Sequence, residues 1–384
     1  MQYLKAACGL LCFLILASNV WSMSHWSEAR GVYDDVCYLR QAHLFQRFGL
    51  GGLDTDISRD DDHYLSAKLK EIGFPTAIDT ATAPCHNMMP ATQKLVLQYP
   101  PGTGFALALF PRGFQVIPLY VLATVIIFGF ALLGISYARS RSSILLATAF
   151  GCLAIYLMIN PAKASYSIAP TMVVCALAGF LTARLFSAEQ RRHRFLLTAI
   201  IGLLIGLAVD FRLPNLFLAS GYFAFFFVSS LLSRKIEIAV QGALFGAAFL
   251  AGAGIAPTLL ANTINAGSPF STTYGGADVA PLEFNSGVLW AYVADLQLGL
   301  FLIAGAWTAA LMFHFSRQSG IRQIALIVAG NLVVNLIFFT THPVFTPYYT
   351  IPVAMLSVWT LLFASVIQPA EVVHDVVLGE AAKA

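Results

Sequence analysis

Apolar runs of close to twenty residues recur along this chain almost from end to end, and they limit its fold more than any motif does. About 20 residues of α-helix cross the hydrocarbon core of a bilayer, and a backbone placed there must satisfy its own hydrogen bonds. Ten stretches qualify, at residues 4–23, 116–138, 144–160, 168–186, 195–211, 214–232, 236–260, 296–315, 324–341 and 350–367. Only 11% of the 384 residues are charged and 58% are hydrophobic, whereas about a quarter of a soluble domain is charged. The sequence therefore predicts an all-α polytopic membrane protein with about ten transmembrane helices. A net charge of +3 offers no nucleic-acid surface.

The short connections alternate in charge. One set carries Arg139 and Arg141, then Arg191, Arg192 and Arg194, then Arg234 and Lys235, then Arg317 and Arg322; the opposite set has little beyond Lys163 and Arg212. The positive-inside rule then places both termini in the cytosol and the long first loop, residues 24–103, outside. Lys5, the apolar run and Val20-Trp21-Ser22 also mimic a signal peptide. An uncleaved helix is the preferred reading, because it would hold the loop at the membrane. With no linker or repeat, residues 1–384 read as one membrane domain, with the outer loop inserted and residues 368–384 as a cytosolic tail.

The outer loop is unusually acidic. Glu28, Asp34, Asp35, Asp54, Asp56, Asp60, Asp61, Asp62, Glu71 and Asp79 make it home to ten of the chain's 19 acids. Two further outer loops, 262–286 and 341–349, are rich in Gly, Pro and aromatic residues. A transporter would more often keep its ionisable groups within its spans. Gathering them at one face points to a membrane enzyme with an outward-facing site.

Asp34-Asp35 is the most telling pair. Tyr38, Leu39, Ala42 and Phe45 form a helical apolar stripe, which predicts a helix over 34–48. Either carboxylate could cap that helix or act as an acid/base group. Asp60-Asp61-Asp62 reads as a solvated turn in preference to a metal cage. Asp54 and Asp56 read as turn residues, and Asp295 as a cap for the eighth span. Cys37 and Cys85 both fall in the outer loop, where a disulfide could persist. Cys8, Cys12, Cys152 and Cys175 fall in apolar spans as small core residues.

Five segments, in order, resemble the GT-C membrane glycosyltransferases that use polyprenyl-phosphate sugars, such as protein O-mannosyltransferases and aminoarabinose transferases. Tyr33-Asp34-Asp35-Val36-Cys37-Tyr38-Leu39 is similar to the family's acidic pair and Tyr-bearing helix. Tyr99-Pro100-Pro101-Gly102-Thr103-Gly104-Phe105 is similar to its Pro-Pro stretch. Gly206-Leu207-Ala208-Val209-Asp210-Phe211-Arg212-Leu213-Pro214 is like its Gly-Leu-Ala run ending in Arg-Pro. Asn262, Gly267-Ser268-Pro269-Phe270 and Tyr274 resemble an outer loop of the family. Pro347-Tyr348-Tyr349-Thr350-Ile351-Pro352 lies where many members have Pro-Arg-Tyr. Two departures stand out. Tyr348 replaces an Arg, so one cation facing the donor phosphate is missing or comes from elsewhere. The soluble C-terminal domain of some members is also lacking.

The resemblance implies transfer of a sugar from a polyprenyl phosphate to a hydroxyl of a lipid, glycan or protein. It implies a bacterial inner (plasma) membrane, with the site facing the periplasm. Such a reaction needs a base for the acceptor hydroxyl and positive charge for the leaving phosphate. Asp34 or Asp35 is the expected base. Arg212 is the first candidate for the phosphate, against a simple pair with Asp210 or a snorkelling Arg. Lys94 and His342 are further phosphate candidates, against a solvated lysine and a structural interfacial histidine. Tyr274, Tyr348 and Tyr349 are candidates for the sugar or acceptor pocket, although aromatics are common at membrane interfaces. No zinc-type His/Cys spacing is present, and no metal or other cofactor is expected to be required. The rival readings are a lipid or polysaccharide transporter and a non-catalytic scaffold of envelope assembly.

Overall fold

The computed structural model describes residues 1–28, 33–74, 83–158, 165–187, 190–275, 281–294, 297–314, 319–342, 345–346 and 348–367. The tail 368–384 lies outside these, as do Asp79, Lys163, Asp295, Arg317, Pro343 and Pro347.

Helix α1 (Gln2–Met23) leads into the long polar segment. This holds α2 (Tyr33–Phe48), two short 3-10 turns (Gly49–Leu53 and Ile57–Arg59), α3 (Tyr64–Glu71), strands β1 (His86–Met89) and β2 (Lys94–Leu97), and α4 (Pro101–Ala108). The chain continues through α5 (Val116–Tyr137), α6 (Arg141–Leu157), α7 (Ile168–Ser187), α8 (Arg191–Phe211), α9 (Ser220–Ser233), α10 (Ile236–Leu250) and α11 (Ala256–Ala266). It ends with α12 (Ser286–Ala294), α13 (Gln297–His314), α14 (Ser319–Thr341) and α15 (Thr350–Ile367).

Among the described residues, seven helices are long and apolar enough to cross a membrane: α1, α5, α7, α8, the Leu213–Ser233 stretch that includes α9, α14 and α15. This is an integral, multi-pass membrane protein built on α-helices. The β1–β2 hairpin departs from the all-α expectation. Its two antiparallel strands pair His86 with Leu97 and Met89 with Lys94. The expected span 236–260 is also divided, because α10 stops at Leu250. Gly252 there takes a left-handed φ of +55°, a conformation that glycine adopts at little cost. Pro257 then sits in the first turn of α11, where its missing N–H costs nothing.

The apolar pattern alone cannot separate lipid-facing from protein-facing helices, since both are hydrophobic all round. Packing does so here. Helix α15 is the most enclosed, and Trp359 at its middle is fully buried. The Trp359 ring meets Phe150 edge-on at 4.6 Å between centroids and stacks on Phe363 at 5.7 Å. Gly179 allows α7 to close on it, because a Cβ at that position would lie 2.8 Å from that of Trp359. Small residues permit such close helix approach in membranes. Polar residues add ties inside the bundle. Asn331 accepts the Gly221 N–H, and Asn335 donates to the Phe217 carbonyl.

Helix α4 carries the Pro-Pro stretch and sits between α2 and the C-terminal end of α8. Pro101 occupies its first turn. Gly102 lies against the Asp210 backbone, where an added Cβ would come within 2.7 Å of the carbonyl oxygen, and Gly104 lies against Gln41. Thr103 donates to the Phe211 carbonyl at 3.0 Å. Three segments singled out in the sequence are thereby joined at one end of the bundle.

Candidate functional site

Helix α2 starts with the acidic pair, and its two carboxylates have different surroundings. Asp35 is 2% exposed and accepts the Tyr166 backbone N–H at 3.2 Å. It ties the start of α2 to the entry of α7. Asp34 is half-buried and lies in hydrogen-bonding contact with the Tyr99 phenol. Both carboxylates occupy the first turn, where the helix dipole favours negative charge. Burial first, and then the Asp34 carboxylate, push the Tyr99 phenol well above its ordinary pKa.

A group of tyrosines extends from Asp34. Tyr38, one helical turn on, stacks on Tyr99 at 4.6 Å, and Tyr99 meets Tyr274 edge-on at 6.1 Å. Tyr38 and Tyr348 each feel the charge of both Asp34 and Arg212. Burial pushes the Tyr38 phenol up to about 12 and raises that of Tyr348 as well. These phenols are therefore neutral hydrogen-bond donors at neutral pH.

Arg212 closes the group at the end of α8. Its guanidinium lies over the Tyr348 ring at 4.1 Å and the Tyr349 ring at 4.6 Å. The side chain is 9% exposed, and Nε and Nη1 are buried without a hydrogen-bond partner. A small cavity bordered by Asn215, Asn335 and Tyr349 adjoins it. The Asp210–Arg212 pair, the alternative to a phosphate role, does not form among the described residues. Asp210 instead accepts the backbone N–H and hydroxyl of Thr258 in the first turn of α11, capping a helix end that lacks a cap of its own.

Of the other candidates, His342 packs beside Tyr349, with ring centroids 5.7 Å apart, and beside Phe338 at 5.0 Å. Lys94 is engaged away from the tyrosines. It pairs with Asp54 at 3.2 Å and donates to the Ile264 carbonyl near the end of α11 at 3.3 Å. Asn262 donates to the Pro269 carbonyl at 3.2 Å, and Gly267, with φ +81°, ends α11 in the left-handed conformation. Cys37 and Cys85 are joined in a disulfide that anchors α2 beside β1.

The acidic run Asp60-Asp61-Asp62 docks α2. Arg40, His43 and Arg47 recur at the spacing of one helix face, and each meets one of these carboxylates. Arg40 faces Asp60 at 3.5 Å, His43 meets Asp62 at 2.7 Å, and Arg47 pairs with Asp61. Burial holds the Arg40 guanidinium below, and the Asp60 carboxyl above, their ordinary pKa values. Desolvation therefore outweighs their mutual attraction at that distance.

Arg40, Tyr38 and Tyr99 are the residues that sequence reasoning did not assign to the site or its support. Tyr38 and Tyr99 lie within two of the five quoted segments, so the signal was present without a partner to explain it. No family model matches this chain, and neither a curated protein nor a solved structure does.

Proposed function

We propose that this chain is an integral-membrane glycosyltransferase of the GT-C type, acting on a polyprenyl-phosphate sugar at the extracytoplasmic face. One observation carries the proposal: the buried Arg212 guanidinium, with two nitrogens lacking partners, in a tyrosine-lined site shared with Asp34. A buried charge without an anion is strongly unfavourable, and guanidinium suits phosphate oxygens through paired N–H donors. The position at which the family has a second cation is occupied by Tyr348. Arg212 lies on that ring, so this chain brings its cation to the same place from α8.

In this reading Asp34 is the base and Asp35 is a positioning residue. The acceptor O–H gives its proton to Asp34 as its oxygen bonds to the anomeric carbon. The carbon–oxygen bond to phosphate breaks, and the electron pair leaves on the polyprenyl phosphate. Arg212 and the neutral phenols of Tyr38 and Tyr348 face the charge that develops there. No metal enters this scheme. The acceptor is a hydroxyl of a lipid, glycan or protein.

Ten spans are part of the same proposal. The seven long helices are joined by α6 and α10, apolar and of 17 and 15 residues, and by α12 with α13 as one broken span. The arginines at their connections would then face the cytosol of a bacterial inner membrane, with residues 24–103 outside.

The test is single-turnover transfer with a polyprenyl-phosphate sugar and purified protein. Asp34→Asn should lower the rate by about 10²–10⁴-fold, the usual contribution of a general base. Asp35→Asn should keep most of the rate, since the amide oxygen can still accept the Tyr166 N–H. Equal rates for wild type and Asp34→Asn would overturn the assignment.

A further inference from the structure

The opposite end of α8 holds a second polar cavity that the proposed reaction does not use. Arg191 opens the helix and Arg212 follows its last residue, so the 21-residue helix separates them by about 30 Å, the thickness of a bilayer core. The cavity, of about 320 Å³, is bordered by the end of α7, the starts of α8, α10 and α14, and the middle of α9. That size lies within the range of small-ligand sites.

Its walls divide by chemistry. Arg191, Arg194 and Lys235 border it with exposed cationic side chains, and Glu237 is the one carboxylate among its lining residues. Glu237 pairs with Arg191 at 3.2 Å, and the lining residues number three cations to one carboxylate. The inner wall is apolar, with Phe225 half-buried and Phe226 and Leu185 buried. Gln241 and Gln323 add amides between the two zones.

A cationic mouth over an aromatic floor, set between helices at the level of the bilayer surface, matches an amphiphile with a phosphate head and acyl tails. Basic pockets between membrane helices bind anionic head groups in this manner. A free phosphate would use the cations and leave the aromatic wall without a role. We infer that this cavity is a binding site for an anionic glycerophospholipid, on the face opposite the tyrosine-lined site.

The probe is short-chain phosphatidylglycerol, compared with phosphatidylcholine of the same chain length and with inorganic phosphate. Binding to the purified full-length protein would be followed by native mass spectrometry. Wild type should bind phosphatidylglycerol in preference to phosphatidylcholine, and inorganic phosphate should not displace it. The triple variant Arg191→Ala, Arg194→Ala, Lys235→Ala should bind it about a hundredfold more weakly, from about fivefold per cation.

Arg139→Ala with Arg141→Ala removes charge from the connection between α5 and α6, away from this cavity, and should bind like wild type. Should the triple variant fail to fold, the single change Lys235→Glu provides the same comparison with a smaller loss. Unchanged binding by the cavity variants would overturn the inference. Equal loss in the Arg139/Arg141 control would overturn it too, as general surface charge, and displacement by inorganic phosphate would point to a free-phosphate site instead.

Discussion

Two arginines, Arg40 in α2 and Arg212 after α8, are buried in this molecule, and their surroundings differ. Arg40 donates to the Thr55 and Asp56 carbonyls and to His86 Nε2, at 2.9–3.0 Å, while its Nε faces Asp60 at 3.5 Å. Arg212 has aromatic rings on its faces and no acceptor for Nε or Nη1. Both terminal nitrogens of Arg40 find acceptors within the chain, and only its Nε, like that of Arg212, is buried without a hydrogen bond. An arginine that leaves a terminal nitrogen open beside a small cavity, as Arg212 does at Nη1, is available to an anion from outside.

The largest expected effects come from exchanging each for alanine. Arg40→Ala should destabilise the segment between α1 and α5 by about 3–5 kcal/mol, because it strands a buried carboxylate. Limited proteolysis in rising urea would measure this. Arg212→Ala should leave that stability nearly unchanged and lower transfer by about 10²–10³-fold, the usual loss of one charge-stabilising donor. If Arg212→Ala unfolds the segment and Arg40→Ala only slows transfer, the contrast between them is reversed.

His86 gives the comparison a pH dependence. Its Nδ1–H donates to the Pro84 carbonyl, so Nε2 accepts from Arg40 at 2.9 Å. Burial, and then the Arg40 charge, push its pKa down to about 3. As pH falls through about 6.5, the unfolded segment takes up this proton first, so folding stability is lost between about pH 6.5 and 3. The slope is at most about 1.4 kcal/mol per pH unit. Asp60 works in the opposite sense near its own range, since burial raises its pKa and the folded state binds that proton more readily. Repeating the urea proteolysis across this pH range should show the loss in wild type and a flatter profile in His86→Gln, which keeps an acceptor. An identical profile would remove His86 from the Arg40 cluster's energetics.

The membrane character was legible in the sequence because the bilayer demands long apolar helices whatever their neighbours. The break after Leu250 was not, since the residues on both sides of it are apolar and only Gly252 marks the turn. In the site, Asp34, Arg212, Tyr274, Tyr348 and Tyr349 were named from the sequence, and the fold brings them together. The difference between Asp34 and Asp35 was not legible. Successive helical residues point about 100° apart, and which of the two meets Tyr166, 131 positions away, depends on tertiary packing. The docking of Asp60-Asp61-Asp62 was half-visible in the spacing of Arg40, His43 and Arg47. That stripe runs beside the apolar one on the same helix, and only the packed fold shows what it meets.

A smaller effect is expected at the ring beneath Arg212. Tyr348→Leu removes one aromatic face and a neutral phenol while keeping much of the apolar volume. A cation–π contact contributes about 0.5–2 kcal/mol, so donor KM should rise by roughly 2- to 30-fold. Arg40 is held by Thr55, Asp56 and His86 instead, and the folding stability measured by proteolysis should not follow Tyr348. A variant with wild-type KM would show that the rings merely fill space around the guanidinium.

The smallest effect belongs to Lys94, a cation that sequence reasoning placed beside Arg212. Its ammonium pairs with Asp54, and the side chains of both are more than a quarter exposed. Such a pair contributes about 0–1 kcal/mol, and water can replace the lost bond to the Ile264 carbonyl. Lys94→Ala should therefore change stability by less than about 1 kcal/mol and leave transfer within about twofold of wild type, a ratio worth less than 0.5 kcal/mol. Loss of donor binding without loss of stability would instead make Lys94 a second phosphate contact, reached by breaking its pair with Asp54. The contrast between open and closed cations would then describe the resting state alone.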